Sequence, residues 1–201
     1  MKITLLIIAL LFVTGCGAED LSYGTVDGVT YEQTEEVTNY VKIVMRNDDV
    51  ILIELYPQYA PITVENFQNL VSEEFYDGTE FHRVIEGFMI QGGIHRRELQ
   101  AENIKGEFPA NGVDNPILHE RGVISMARTM QSMDSASSQF FIMHEDSPIL
   151  DGDYAAFGRV IAGMSAVDRI ATTPVDTPGG QAPVPLTPQR VSTIRFVEIE
   201  R

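Results

Sequence analysis

Two short stretches gather side chains that can grip a substrate without attacking it. Phe81 to Gly93, FHRVIEGFMIQGG, sets one permanent cation, Arg83, beside Phe88, Met89 and Gln91. Ser138 to Ile142, SQFFI, adds Gln139, Phe140 and Phe141. Other chemistries lack their parts. His82, His95, His119 and His144 do not recur at i+2 or i+4, and the chain has a single Cys, so no zinc set is read and no metal or cofactor is expected. No nucleophile elbow and no dinucleotide or phosphate-loop glycine pattern occurs. Acidic side chains are plentiful, but an acidic chain always offers carboxylate pairs, so they give hydrolysis weak support.

A lone guanidinium among apolar and amide side chains suits a reaction with no nucleophile. Rotation about an X–Pro amide has that character. Its barrier is ~18–20 kcal/mol because resonance stiffens the C–N bond. Uncatalysed exchange takes about tens to hundreds of seconds. A turnover of roughly 10–10³ s⁻¹ needs ~4–7 kcal/mol of transition-state stabilisation. An apolar pocket can hold the pyrrolidine ring. A guanidinium can hydrogen-bond the imide nitrogen as it loses conjugation, contributing ~1.5–3 kcal/mol.

These residues need a scaffold, and its pattern is mostly β. Val41 to Met45 and Val50 to Leu55 flank Asn47-Asp48-Asp49 and read as a hairpin. Pro61 opens a helical pattern with Val64, Phe67, Leu70 and Val71 on one face and Gly78 beyond its end. From Thr79 to Gly158, short apolar or aromatic pieces alternate with Gly, Asn, Asp and Pro, which suits a barrel or a sandwich. Met164 to Ala171 follows Gly163 as a second short helix. Thr172 to Pro188 holds five of the ten prolines and reads as a loop. Val191 to Glu200 reads as a closing strand. Phe140 and Phe141 alternate on a strand, so Phe140 is expected in the core and Phe141 on the opposite face.

The N-terminal residues read differently. Met1-Lys2 followed by the apolar run Ile3 to Val13 is too short for an ordinary membrane span and fits a secretory signal. Val13-Thr14-Gly15-Cys16 then resembles a bacterial lipobox, the alternative being a plain signal peptide with a chance cysteine. The expected division is a signal over 1–15, an acidic flexible tether over 16–36 that begins at a lipidated Cys16, and a folded domain over 37–201. Gly17 to Tyr40 carries six acidic side chains and no Lys or Arg, which favours a solvated spacer. The formal charge of the chain is −15, and loss of Lys2 leaves 13 basic against 29 acidic side chains, or −16. Phosphates would be repelled, so no nucleic-acid partner is expected.

The ordered series of motifs carries a resemblance. Phe81-His82-Arg83-Val84-Ile85, Gly87-Phe88-Met89-Ile90-Gln91-Gly92-Gly93, Gly122-Val123-Ile124-Ser125-Met126-Ala127, Ser138-Gln139-Phe140-Phe141-Ile142, and Leu150-Asp151-Gly152 with Phe157-Gly158 follow one another over about Lys42 to Glu200. Together they resemble the cyclophilin-type peptidyl-prolyl cis–trans isomerases. The resemblance implies a closed eight-stranded antiparallel β-barrel capped by two α-helices, with the active groove on its outer surface. It implies Arg83 as the catalytic guanidinium, with Gln91 orienting it and the substrate carbonyl. Phe88, Met89, Phe141 and Leu150 would wall the proline pocket. Ala127, Arg128, Thr129 and Gln139 would lie along the peptide, with Ile149 and Tyr154 at the rim. Four positions depart from the best-known family pattern. Ile149 stands for Trp, Tyr154 for His, Arg128 for Asn, and Ile94 for Asp. The loss of the indole implies weak cyclosporin binding.

Some readings stay open beside this. Arg83 could pair with Glu86 as a structural ion pair. His82 reads as a packed or hydrogen-bonded histidine rather than a catalyst. Two function classes follow. One is a monomeric isomerase of X–Pro bonds in exported or cell-surface proteins, lipid-anchored outside the cytoplasm of a bacterium. The other is a proline-peptide-binding or scaffold module with weak turnover.

Overall fold

Short apolar runs and two helical patterns build the elements of the fold. The structure, a computed structural model, describes residues 22–94, 101–180 and 182–200. The strands in chain order are β1 (Tyr23–Val26), β2 (Val29–Gln33), β3 (Tyr40–Met45), β4 (Val50–Leu55), β5 (Glu80–Phe81), β6 (Arg83–Ile85), β7 (Met89–Gly92), β8 (Val123–Met126), β9 (Phe140–Met143), β10 (Ala156–Ala162), β11 (Val175–Asp176), β12 (Val184–Pro185) and β13 (Gln189–Glu200). Two α-helices, α1 (Pro61–Ser72) and α2 (Met164–Ala171), complete the regular structure. The β3–β4 hairpin, both helices and the closing strand lie where the sequence pattern places them.

The main sheet is antiparallel and runs β1-β2-β13-β3-β4-β10-β8-β9-β7-β6. Only His82 separates β6 from β5, and β5 pairs with β13 through Phe81↔Gln189. The kinked segment Glu80 to Ile85 therefore links the β6 end of the path back to β13. Eight staves form the resulting barrel, and β1–β2 extend one edge. The return of β5 to β13 is a pairing that a barrel has and a two-sheet sandwich lacks. The interior is aromatic. Phe67 of α1 packs against Tyr76, Phe140 and Phe157 at centroid distances of 5.2, 5.7 and 5.3 Å. The buried faces of α1 and α2, including Val64, Leu70, Val167 and Ile170, join the same core.

The start of α1 has no cap of its own. Ala60 occupies the N-cap position and Pro61 opens the first turn. The buried carboxylate of Glu107 supplies the missing acceptors. It takes hydrogen bonds from Ile62 N (3.1 Å), Thr63 N (2.7 Å) and the Thr63 hydroxyl (2.8 Å).

The tether expected over 16–36 is corrected between Tyr23 and Gln33. That segment is a hairpin turning at Asp27-Gly28, both with positive φ, and β2 pairs with the second half of β13. Composition alone misjudged it. Tyr31 is buried within this acidic segment, with the Lys42 ammonium 5.1 Å from its ring centre. Asp27 accepts a hydrogen bond from Gly163 N at the start of α2. The fold thus reaches back before Val37. The segment 172–188 is also more than a loop. It contains the short β11–β12 pair, and Pro183 O accepts a hydrogen bond from Val84 N of β6. The expected signal over 1–15 and the lipidation site at Cys16 lie outside the described residues, as does His95.

Candidate active site

Alternation along the barrel strands sorts side chains into two sets. Ile90, Phe140, Ile142, Ile124 and Met126 face the core. Met89, Phe141, Met143 and Val123 belong to a separate outer cluster with Phe88, Ala127, Leu150 and Tyr154. Register then makes a row. Arg83 opposes Gln91, Gln91 opposes Phe141, Phe141 opposes Ser125, and Ser125 opposes Ala156. Five strands place these residues at one level of the outer wall. Gly93 permits the close approach of the β7 end to this wall. It has φ +89°, and a Cβ there would stand 2.5 Å from Ser138 O.

A cavity of about 200 Å³ opens on this row. Arg83, Phe88, Met89, Gln91, Ala127, Arg128, Phe141, Leu150 and Tyr154 line it. The guanidinium of Arg83 donates from Nη1 to Gln91 Oε1 at 3.1 Å. Gln91 Nε2 in turn donates to Gln139 Oε1 at 3.1 Å. Each amide fixes the next, so the cation ends a relay of oriented dipoles. Glu86 is not within ion-pair distance of Arg83, and the alternative of a structural pair falls away. Arg128 is held differently. Its guanidinium carbon lies 4.9 Å from the Tyr154 ring centre and 5.3 Å from that of Phe108. It donates to Asp153 O and Thr129 O.

Three expected residues stand outside the cavity wall. Gln139 sits behind Gln91 as its acceptor. Thr129 is exposed and turned toward Ser135 Oγ, which bonds both its backbone N and its hydroxyl at 2.9 Å. Ile149 is 82% exposed on the one-turn helix Pro148–Leu150, while its neighbour Leu150 turns into the cavity.

Behind Phe141 lies a support that the sequence reading gave no role. His119 is buried and stacks on the Phe141 ring at 6.0 Å and 20°. Its Nδ1 is 3.0 Å from Asp151 Oδ1 and its Nε2 is 3.1 Å from Ser125 Oγ. The carboxylate can only accept, so Nδ1 carries the proton and Nε2 accepts from the serine hydroxyl. Burial pushes the imidazole below its ordinary pKa, against the opposing pull of Asp151. Ser125 is fully buried, so this Ser–His–Asp arrangement has no access to a substrate. It braces the pocket wall. Ser125 and Asp151 both fall inside the quoted motifs, which was the available signal. His82, in turn, is pushed down mainly by burial, and its Nδ1 has no partner among the described residues.

The arrangement can hold an apolar ring against Phe88, Met89, Phe141 and Leu150 with one oriented cation beside it. Among the described residues it offers no nucleophile at the wall and no general base. Among the described residues no group of three or more His, Cys, Asp or Glu side chains is placed to hold a metal.

Known proteins are similar to this chain. The family profile described as cyclophilin type peptidyl-prolyl cis-trans isomerase/CLD matches residues 40–195. A peptidyl-prolyl cis-trans isomerase of Acinetobacter baylyi is 42% identical over 154 residues, covering 74% of this chain and 81% of that protein. Peptidyl-prolyl cis-trans isomerase B of Bacillus subtilis is 43% identical over 121 residues, covering 60% and 82% respectively. A cyclophilin-type isomerase of Cryptosporidium parvum, crystallised in the presence of the dipeptide Ala-Pro, is similar in structure. It has a TM-score of 0.68 at 26% identity, covering 78% of this chain and 98% of that one.

Proposed function

This chain belongs to the cyclophilin-type peptidyl-prolyl cis–trans isomerase family, and from that premise we propose that it accelerates X–Pro rotation in exported or cell-surface proteins while held to a bacterial membrane by lipid on Cys16. The observation that carries the catalytic part is Arg83, oriented by Gln91 at the edge of a cavity walled in part by Phe88, Met89, Phe141 and Leu150.

The substrate proline packs its ring against Phe88, Met89, Phe141 and Leu150. Arg83 donates to the imide nitrogen as that nitrogen becomes pyramidal and its lone pair localises. The planar ground state offers a weak acceptor there, so the bond forms mainly in the transition state. A charged hydrogen bond contributes ~1.5–3 kcal/mol, and more where water is excluded. Ring immobilisation and the Gln91–Gln139 relay contribute the remainder of the ~4–7 kcal/mol needed. Ala127 and Arg128 flank the peptide, Thr129, Ile149 and Tyr154 form its outer rim, and no cofactor takes part.

The test is an isomerisation assay on the soluble domain. Arg83→Ala is expected to lower kcat/KM by about 10²-fold or more, with ~3 kcal/mol at stake. Unchanged activity in a folded variant would remove Arg83 from the mechanism and favour the peptide-binding alternative. The location rests on the sequence Val13-Thr14-Gly15-Cys16. Several acyl chains on Cys16 would hold the protein firmly where a single chain would not. Mass spectrometry of the mature N-terminus is expected to show the modified cysteine, and Cys16→Ser to release the protein from membranes. A Cys16→Ser protein that stays membrane-bound would overturn the anchor.

A further inference from the structure

The chain is strongly acidic, yet among the described residues two guanidinium groups and no carboxylate line the cavity. Among the other described arginines, Arg121, Arg159, Arg169 and Arg195 sit in ion pairs. Arg83 and Arg128 have no carboxylate within ion-pair distance among the described residues. Arg83 is committed to the imide nitrogen. Arg128 carries a charge that the described residues fix in place without a paired carboxylate.

Its fixing is specific. The Tyr154 and Phe108 rings flank the guanidinium, and two carbonyl oxygens take two of its five N–H groups. Three N–H groups remain, and the side chain lines the cavity. Apolar walls lower the local dielectric and strengthen any charge–charge contact there. The same wall carries Phe88, Met89, Phe141 and Leu150, against which the proline ring would rest. A group that reaches Arg128 while the ring is seated must therefore come from a residue next to the proline.

We propose that Arg128 is a specificity-determining residue that selects X–Pro peptides with an acidic side chain immediately beside the proline. This rests on the isomerase reading above. The −15 charge of the chain repels acidic polypeptides at long range, but that field is screened beyond about 8 Å at physiological salt. Short-range pairing with Arg128 decides between peptides of equal length.

The experiment compares blocked tetrapeptides that differ by one isostere, Glu against Gln, placed either before or after the proline. Isomerisation is followed by NMR exchange, and binding by chemical-shift titration. The wild-type protein is expected to favour Glu over Gln by about fivefold or more in kcat/KM and in Kd at one of the two positions, as a charged hydrogen bond implies. Arg128→Gln is expected to bring that ratio to within twofold, whatever its absolute activity, and Arg128→Lys to retain part of it. Raising salt from about 0.05 to 0.5 M is expected to shrink the wild-type ratio, which keeps the test independent of how Arg128→Gln folds. Equal handling of Glu and Gln peptides by an active wild type would overturn the Arg128 proposal and leave the isomerase reading intact. Absence of turnover on every peptide, with or without the Glu preference in Kd, would instead overturn the isomerase reading.

Discussion

Gln91 touches Arg83 on one side and Gln139 on the other, each at 3.1 Å, and this makes its role separable from that of the arginine. In Gln91→Leu the side chain keeps its bulk but loses both bonds. Arg83 then has no side-chain acceptor to hold its guanidinium. Immobilising a flexible side chain costs ~0.5–1.5 kcal/mol, and that cost moves into the catalytic step when the lock is removed. At ~1.4 kcal/mol per factor of ten, the expected loss in kcat/KM is about 3–10-fold, mostly in kcat. This is well below the loss expected for Arg83→Ala. The decisive measurement is the double-mutant cycle. If Gln91 acts through Arg83, then Gln91→Leu in the Arg83→Ala background costs less than about twofold. A direct bond from Gln91 to the substrate carbonyl leaves a residue of the effect in that background. If the full loss persists without Arg83, Gln91 does not orient the guanidinium and the relay has no catalytic meaning. Unfolding curves for all four proteins guard against a damaged β7.

Other perturbations test the scaffold and the rim. Glu107→Ala removes three hydrogen bonds at the start of α1 and leaves buried donors unmatched, so a loss of ~2–4 kcal/mol is expected from urea denaturation. Burial depresses His82 and His119, so the unfolded chain binds their protons more readily. Stability is therefore full above about pH 6.5 and falls as pH drops toward the folded pKa values, by up to ~1.4 kcal/mol per pH unit for each histidine. Denaturant midpoints between pH 7 and 5.5 that do not change would contradict this. Ile149, 82% exposed, offers no donor and little flat surface at the rim. Weak cyclosporin inhibition is expected for the wild type. Ile149→Trp is expected to bind the drug roughly 5–150-fold more tightly, or ~1–3 kcal/mol, in an inhibition titration.

Local patterns were readable because they depend on neighbours in sequence. The 3.6-residue spacing of Val64, Phe67, Leu70 and Val71 gave α1, and the Asn47-Asp48-Asp49 turn between apolar runs gave β3–β4. Long-range pairing was not readable in this way. Nothing near Ala60 announces that Glu107 caps the helix, and nothing near His119 announces that Asp151 and Ser125 share it. The unaided pattern left barrel and sandwich open because closure depends on Phe81 meeting Gln189 across more than a hundred residues. The β1–β2 hairpin was missed for a different reason. Its acidic composition outweighed a period-two alternation that buries Tyr31 and exposes Glu32. Resemblance of motifs supplied the pocket residues, but the cavity wall excludes Thr129, Gln139 and Ile149.

The site and the core use the same strands, and one residue of phase separates them. Phe140 meets Phe67, Tyr76 and Phe81 inside the barrel, while Phe141 meets Tyr154 and the cavity outside. A slip of one residue in β9 would exchange the two and remove Phe141 from the row that holds Gln91 and Arg83. Register in β9 is fixed from both sides, since Ile142 faces Ile90 on β7 and Ile124 on β8 within the core. The core packing that stabilises the barrel is thus also what aligns the Arg83 guanidinium with the wall of Phe88, Met89, Phe141 and Leu150. Rigid strands can hold that alignment. For a reaction with no bond to make or break, a fixed cation and a fixed ring are sufficient parts.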